Sequence, residues 1–245
     1  MIRVEGVHKS FGGSAVLRGL DLQVPKGCLY GLIGPGAAGK SVLLKLIVGL
    51  MRPDRGRVLV QGQNLAELSE LDLQKFRARF GIAFQNNALF DYLNVGENIA
   101  FPLRRLFELE EEQISQRVAE RLRSVSLDGF EGRMPAGLSG GQKKRVGVAR
   151  ATVSQAEIVL YDEPAAGLDP VTSQRIFDLL RNEQRSSSAT VIMVSSDLDR
   201  LLSVTDRVGM IYQGRLAFDG TTAEAKACSN PAVRQFVHGL VDGPL

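Results

Sequence analysis

The chain has 245 residues, 44% of them apolar, enough to bury a substantial core in one large domain or in a domain carrying an inserted lobe. Thirty basic against 27 acidic residues leave a net charge of +3, too balanced to mark a nucleic-acid-coating surface. Apolar runs fall short of the roughly 20 residues that span a bilayer, and Cys28 and Cys228 lack metal-ligand spacing. The N-terminus has no signal-peptide h-region, so a soluble, cytoplasmic chain with reduced thiols is expected.

Taken in order, residues 2–7 and 15–22 read as strands, closed by the turn Val24, Pro25, Lys26 and Gly27. Between the two strands Phe11 is an aromatic that can stack on a purine base or serve as core. The apolar run 29–33 then leads into Gly34, Pro35, Gly36, Ala37, Ala38, Gly39, Lys40 and Ser41, followed by a strongly apolar helical segment at 42–50. Strand, glycine-rich turn and helix in that order aim backbone N–H groups at one anion. Lys40 adds charge, and the Ser41 hydroxyl can ligate Mg²⁺. This is a phosphate-binding P-loop.

Beyond it, residues 57–61 read as a strand, 71–79 as a helix and 81–84 as a strand ending in Gln85, which is placed to reach Mg²⁺ and an attacking water. From about 86 to 157 the pattern turns helical, with Ile114, Val118 and Leu122 every four residues behind an acidic first turn. That stretch reads as an inserted helical subdomain. Within it Ser139, Gly140, Gly141 and Gln142, followed by a basic trailer, make a second anion-binding helix start. One phosphate tail does not need two such loops, which points to a shared site.

Residues 158–162 form an apolar strand ending in Asp162 and Glu163, where an α/β sheet presents its chemistry. Asp162 can hold the Mg²⁺ hydration shell, and Glu163 can polarise a water for attack on a γ-phosphate. An Asp-Glu pair is common at strand ends, so its weight comes from following a P-loop. Gly167, Leu168, Asp169 and Pro170 turn the chain into a helix over about 171–184, and 190–195 reads as a strand. The tail, about 205–245, reads as a hairpin at 207–212 and 215–218 followed by helices at 223–227 and 232–240.

In their order and spacing the P-loop, Gln85, the Leu138-to-Gln142 signature, the Asp162-Glu163 pair and the turn to Asp169 resemble ABC-type ATPase domains over nearly the whole chain. The resemblance implies an α/β fold: a P-loop NTPase core with a RecA-like mixed sheet, an N-terminal antiparallel β-subdomain and an inserted α-helical subdomain. It implies ATP and Mg²⁺ as cofactors and a head-to-tail homodimer in which Ser139, Gly140, Gly141 and Gln142 complete the partner's phosphate site. Phe11 and Val16 would contact adenine, Gly34 to Val42 the phosphates, and Asp162 and Gln85 the metal through water. Gln85 would also couple the site to a membrane permease, and Asp169 would communicate across the dimer.

Residues 84–90, 94–98 and 101–104, with Val233, Arg234, Gln235 and Phe236 and then Asp242, Gly243 and Pro244, are similar to the ATP-binding subunit of Mla/Mce-type phospholipid transporters. That narrower resemblance implies a permease in the inner membrane, with this chain peripheral on its cytoplasmic face. It further implies an Mce-type lipid-binding protein, a small regulatory subunit and no nucleic acid. Transport of another substrate, or a nucleotide-gated module with little hydrolysis, are the competing expectations.

Two positions depart from the family pattern. Ser196 stands where a histidine contacts the γ-phosphate, and losing such a preorganised contact costs on the order of 3 kcal/mol, or a hundredfold in rate. ATP binding with slow hydrolysis is therefore expected. Ala37 stands where glycine is usual, so the loop must either avoid positive φ or carry strain.

Overall fold

The computed structural model describes residues 1–84 and 88–245. The chain opens with β1 (Ile2–Phe11), β2 (Ser14–Val24) and β3 (Leu29–Ile33), then α1 (Lys40–Ile47), β4 (Arg55–Val60), β5 (Gln63–Asn64) and α2 (Glu70–Arg77). The middle holds β6 (Phe80–Ala83), α3 (Val95–Leu106), α4 (Glu111–Ser124), α5 (Gly140–Thr152), β7 (Ile158–Asp162) and α6 (Pro170–Ser187). It ends with β8 (Thr190–Val194), α7 (Leu198–Val204), β9 (Arg207–Tyr212), β10 (Arg215–Thr221), α8 (Thr222–Lys226) and α9 (Pro231–His238). Two compact units result: residues 1–77 with 190–245, and residues 78–189.

In the first unit β2, β1, β4 and β5 make an antiparallel sheet in that order. β1 runs past the expected residue 7 to Phe11 because Gly6, at φ 55, takes up a register irregularity between Val4 and Val7. The other strands of this unit run β10-β9-β3-β8, with β3 parallel to both β8 and β9 and β9 antiparallel to β10. Every residue of β3 and β8 is buried, as parallel strands covered on both faces require. Tyr30, fully buried in β3, donates its hydroxyl to Asp219 at 3.2 Å, and burial pushes its ionisation far above the ordinary tyrosine range.

Helix α1 begins at Lys40 and ends at Ile47, earlier at both ends than the apolar run 42–50 suggested. Its end is set by Gly49 at φ 69, where a Cβ would lie 2.6 Å from Leu73 Cδ1. Leu43, Leu44, Leu46 and Ile47 fill the space beneath. Helix α7 lies in a stretch to which the sequence reading assigns no element; Asp197 caps it by accepting from the Arg200 N–H, and Leu201, Leu202 and Val204 are buried.

In the second unit β6 and β7 pair in parallel. Gly81 lets them pack under α5, since a Cβ there would fall 1.8 Å from the Ala151 carbonyl oxygen. Helix α4 buries Ile114, Val118 and Leu122, the stripe expected from their spacing. Asn94 and Glu97 form a capping box at the start of α3, and the buried Asn98 amide donates to the carbonyls of Phe90, Leu93 and Asn94. Among the described residues no helix is long and apolar enough to cross a membrane.

Candidate functional site

The residues singled out by their chemistry divide between the two units. In the first, the chain leaves fully buried β3, turns through Gly34 at φ 141 and enters α1 through Gly39 at φ 103. A Cβ on Gly34 would lie 2.2 Å from the Ile211 carbonyl oxygen, and one on Gly39 would lie 2.7 Å from Leu17 Cδ2 and 3.1 Å from Val16 Cγ1. The positive φ favours glycine at both positions, and at Gly34 the Ile211 backbone leaves no room for a side chain, whereas at Gly39 the crowding atoms are side-chain methyls. Helix α1 has no side-chain N-cap, so its first N–H groups are left to the loop. The Lys40 ammonium donates to the carbonyls of Gly34 at 2.6 Å and Pro35 at 2.8 Å, which pins the charge inside the curve of the loop.

Ala37 has φ 58 and takes the strained alternative: the left-handed backbone is kept despite its Cβ, at about 1–2 kcal/mol. Val16, half-buried on β2, packs against Gly39, so the β1-β2 hairpin borders the P-loop. Phe11 ends β1 with 44% of its surface exposed, and the Lys9 ammonium lies 5.6 Å from its ring centroid. Lys9 is held there by Asp54 at 2.7 Å; this bond and the Ser10 N–H keep the Asp54 carboxyl below its ordinary range. Ser196 is exposed in the short link between β8 and α7.

In the second unit Ser139 caps α5, and Gln142 closes a reciprocal capping box with it: the Gln142 N–H donates to Ser139 Oγ at 3.3 Å and the Ser139 N–H to Gln142 Oε1 at 2.9 Å. Gly140 and Gly141 leave the first turn without side chains, and the ideal Cβ position of Gly141 lies 2.8 Å from Thr172 Cγ2. Asp169 caps α6 by accepting from the N–H groups of Val171 at 3.0 Å and Thr172 at 2.9 Å. Bonds from the Thr172 side chain and backbone hold its carboxyl below the ordinary value. The structure thus brings the Ser139 loop and the Asp169 turn together within one unit.

Asp162 ends β7, and Glu163 follows in a left-handed conformation with φ 52. Lys144, buried on α5, donates to the Glu163 carbonyl at 3.3 Å. Burial lowers its ammonium's pKa and the charge of Glu163 opposes that shift. The sequence reading takes residues 143–145 only as the basic trailer of the Ser139 loop and gives this lysine no role of its own. Gln85 lies outside the described residues. A cavity of about 360 Å³ in the same unit is lined by Phe80, Phe84, Phe90, Phe101, Arg150 and Ser154, with the Phe90 and Phe101 rings 4.8 Å apart and both Phe84 and Phe101 exposed.

Residues 17–166 match the family described as ABC transporter. Across 244 residues the chain is 38% identical to the probable ribonucleotide transport ATP-binding protein mkl of Mycobacterium leprae (strain TN), covering 100% of this chain and 70% of that protein. It is 35% identical over 245 residues to the intermembrane phospholipid transport system ATP-binding protein MlaF of Haemophilus influenzae, covering 100% of this chain and 93% of the relative. The solved dimeric structure of a bacterial ABC transporter cassette superposes with a TM-score of 0.84 at 28% identity, over 91% of this chain and 99% of the other. A phosphate-cradling loop with its lysine, a second capped glycine turn, a carboxylate pair at a strand end and this similarity along the whole length lead to one assignment: the chain belongs to the ABC transporter family as a nucleotide-binding, ATP-hydrolysing subunit with the P-loop NTPase fold.

Proposed function

We propose that this subunit energises a membrane phospholipid transporter by ATP-driven dimerisation, with two copies bound to an integral-membrane permease on its cytoplasmic face. The observation that carries the substrate class is the similarity to MlaF along the entire chain, supported by 93% coverage of that relative. Phe11 and Val16 receive the adenine; Gly34 to Val42 wrap the phosphates; Ser41 ligates Mg²⁺, with Asp162 and Gln85 acting through water. The donor set fits the ion, since Mg²⁺ keeps several waters and takes few protein oxygens. When bound it neutralises phosphate charge. Glu163 polarises the attacking water, Lys40 offsets charge on the phosphates, and Ser139, Gly140, Gly141 and Gln142 serve the partner's nucleotide, with Asp169 reporting across the interface.

The stretch of about 86–157 acts as the inserted helical subdomain, and its aromatic cavity at Phe84 and Phe101 takes an apolar helix of the permease. An Mce-type lipid-binding protein and a small regulatory subunit complete the assembly, the latter reached through the tail of about 205–245. Ser196 slows hydrolysis by leaving the γ-phosphate without an imidazole contact.

The name of the mycobacterial relative supports a second reading, a ribonucleotide substrate. Proteoliposomes holding the chain and its co-purifying permease separate the two. ATP-dependent movement of a fluorescent phospholipid, absent in Glu163→Gln, is expected. ATP-dependent ribonucleotide uptake without lipid movement would overturn the lipid reading.

A further inference from the structure

We infer that Lys144 is a positioning residue for hydrolysis, holding Glu163 in its left-handed backbone conformation through the bond to its carbonyl. The inference rests on the reading of Glu163 as the residue that polarises the attacking water. A glutamate at φ 52 does not keep that geometry by local preference, since a left-handed backbone costs an L residue free energy and persists only where the surroundings over-determine it. Lys144 supplies such a restraint from a separate element: its Nζ donates to Glu163 O at 3.3 Å. Only 7% of the lysine is exposed, which is unusual for this residue type and requires polar partners where the ammonium ends.

The restraint comes from a particular place. Lys144 lies on α5 two residues beyond Gln142, whose side chain closes the capping box with Ser139. The helix whose first turn presents the glycine loop therefore also carries the group that grips the Glu163 backbone. A displacement of that first turn by a neighbouring phosphate is passed along a rigid helix to the carbonyl next to the Glu163 side chain. Glu163 is thus oriented by α5 as well as by the end of β7.

The test uses the full chain with its co-purifying membrane partner, Mg²⁺ and ATP. Lys144→Met keeps the stem and removes the donor, and Lys144→Arg restores one. The expected result is a kcat about tenfold or more below wild type for Lys144→Met, ATP affinity within about twofold, an unchanged melting midpoint, and recovery of most of the rate in Lys144→Arg. A wild-type kcat in Lys144→Met overturns the inference, as does a parallel loss of rate and ATP affinity or an equal loss in both variants. Should Lys144→Met not fold, Lys144→Leu, which likewise carries no donor, is measured in its place. A kcat at least about fivefold down at unchanged ATP affinity supports the inference, and wild-type kcat overturns it. Glu163→Gln separates the two levels: wild-type hydrolysis undiminished in Glu163→Gln defeats the reading of Glu163, whereas hydrolysis lost there but intact in Lys144→Met defeats only the role of Lys144.

Discussion

Gly141 and Thr172 pack so tightly that a Cβ on the glycine would lie 2.8 Å from the threonine methyl, which locks the first turn of α5 against the first turn of α6. Alanine is favoured over glycine inside a helix by about 1 kcal/mol, but overpacking costs about 1–3 kcal/mol. Gly141→Ala is therefore expected to destabilise by roughly 1 kcal/mol. Thr172→Ser deletes the methyl while keeping the hydroxyl, so the double variant should melt at or above the wild-type temperature. On the proposed role of the first turn of α5 at the partner's phosphate, ATPase activity should stay low in both variants. A double variant with full activity would show that the bare glycine backbone has no role beyond packing.

Ala37→Gly is expected to stabilise the chain. Releasing a left-handed alanine returns about 1–2 kcal/mol, and the extra unfolded-state freedom of glycine takes back roughly 0.5–1 kcal/mol. The net gain, up to about 1.5 kcal/mol, should appear as a higher denaturant midpoint at unchanged slope. A lower midpoint would mean that Ala37 makes contacts worth more than its strain.

Arg121 and Glu183 form an ion pair between α4 and α6, with side chains only 18% and 15% exposed. Glu183 also lies within electrostatic reach of fully buried Tyr161, whose ionisation is raised chiefly by burial and secondarily by that charge. Removing one partner leaves a half-buried charge uncompensated, so Arg121→Met and Glu183→Gln should each cost about 2–3 kcal/mol. Because each single change strands the other charge, the double variant should be less unstable than the two costs added, which a double-mutant cycle by chemical denaturation measures. Additive costs would mean the two side chains do not interact in solution.

Much of the chemistry is legible in the chain because spacing encodes it. Gly34 to Ser41 works only between a buried strand and a helix start, and its flanks, β3 and α1, form within two or three residues of where the apolar runs put them. Ile114, Val118 and Leu122 announce α4 for the same reason. What escapes depends on contacts far apart in sequence. The end of α1 is set by Gly49 against Leu73, and the burial of Lys144 is decided by where β7 ends. Helix α7 was recoverable from Asp197 ahead of Leu198, Leu201 and Leu202, but its length of 7 residues gives periodicity little to repeat.

Asp169 makes stability depend on pH in a definite direction. Its folded-state pKa is depressed by bonds from Thr172 and Val171, so the protonated form is disfavoured by folding. The stabilisation is fully present above the unfolded aspartate value of about 4 and is lost as pH falls through the lower folded value. Asp169→Asn can still accept from those N–H groups but cannot titrate. It should flatten the acid limb of a stability-against-pH curve while changing little at neutral pH. An acid limb as steep as that of wild type would assign the effect to other carboxylates, of which Asp54, Glu111 and Glu224 are also depressed.

Ser196 offers the sharpest kinetic test. The residue is exposed and lies outside both β8 and α7, so Ser196→His creates no buried clash and leaves the Asp197 cap of α7 in place. A serine hydroxyl lacks the reach and the charge of an imidazole, and one preorganised contact to the γ-phosphate is worth about 3 kcal/mol in a water-excluded site. Ser196→His should therefore raise kcat by up to about a hundredfold. ATP affinity should hardly change, because the contact is strongest in the transition state. Brisk wild-type turnover that neither Ser196→His nor Ser196→Ala alters would mean that Glu163 and Lys40 suffice, and the site would be a fast motor rather than one tuned to hold ATP.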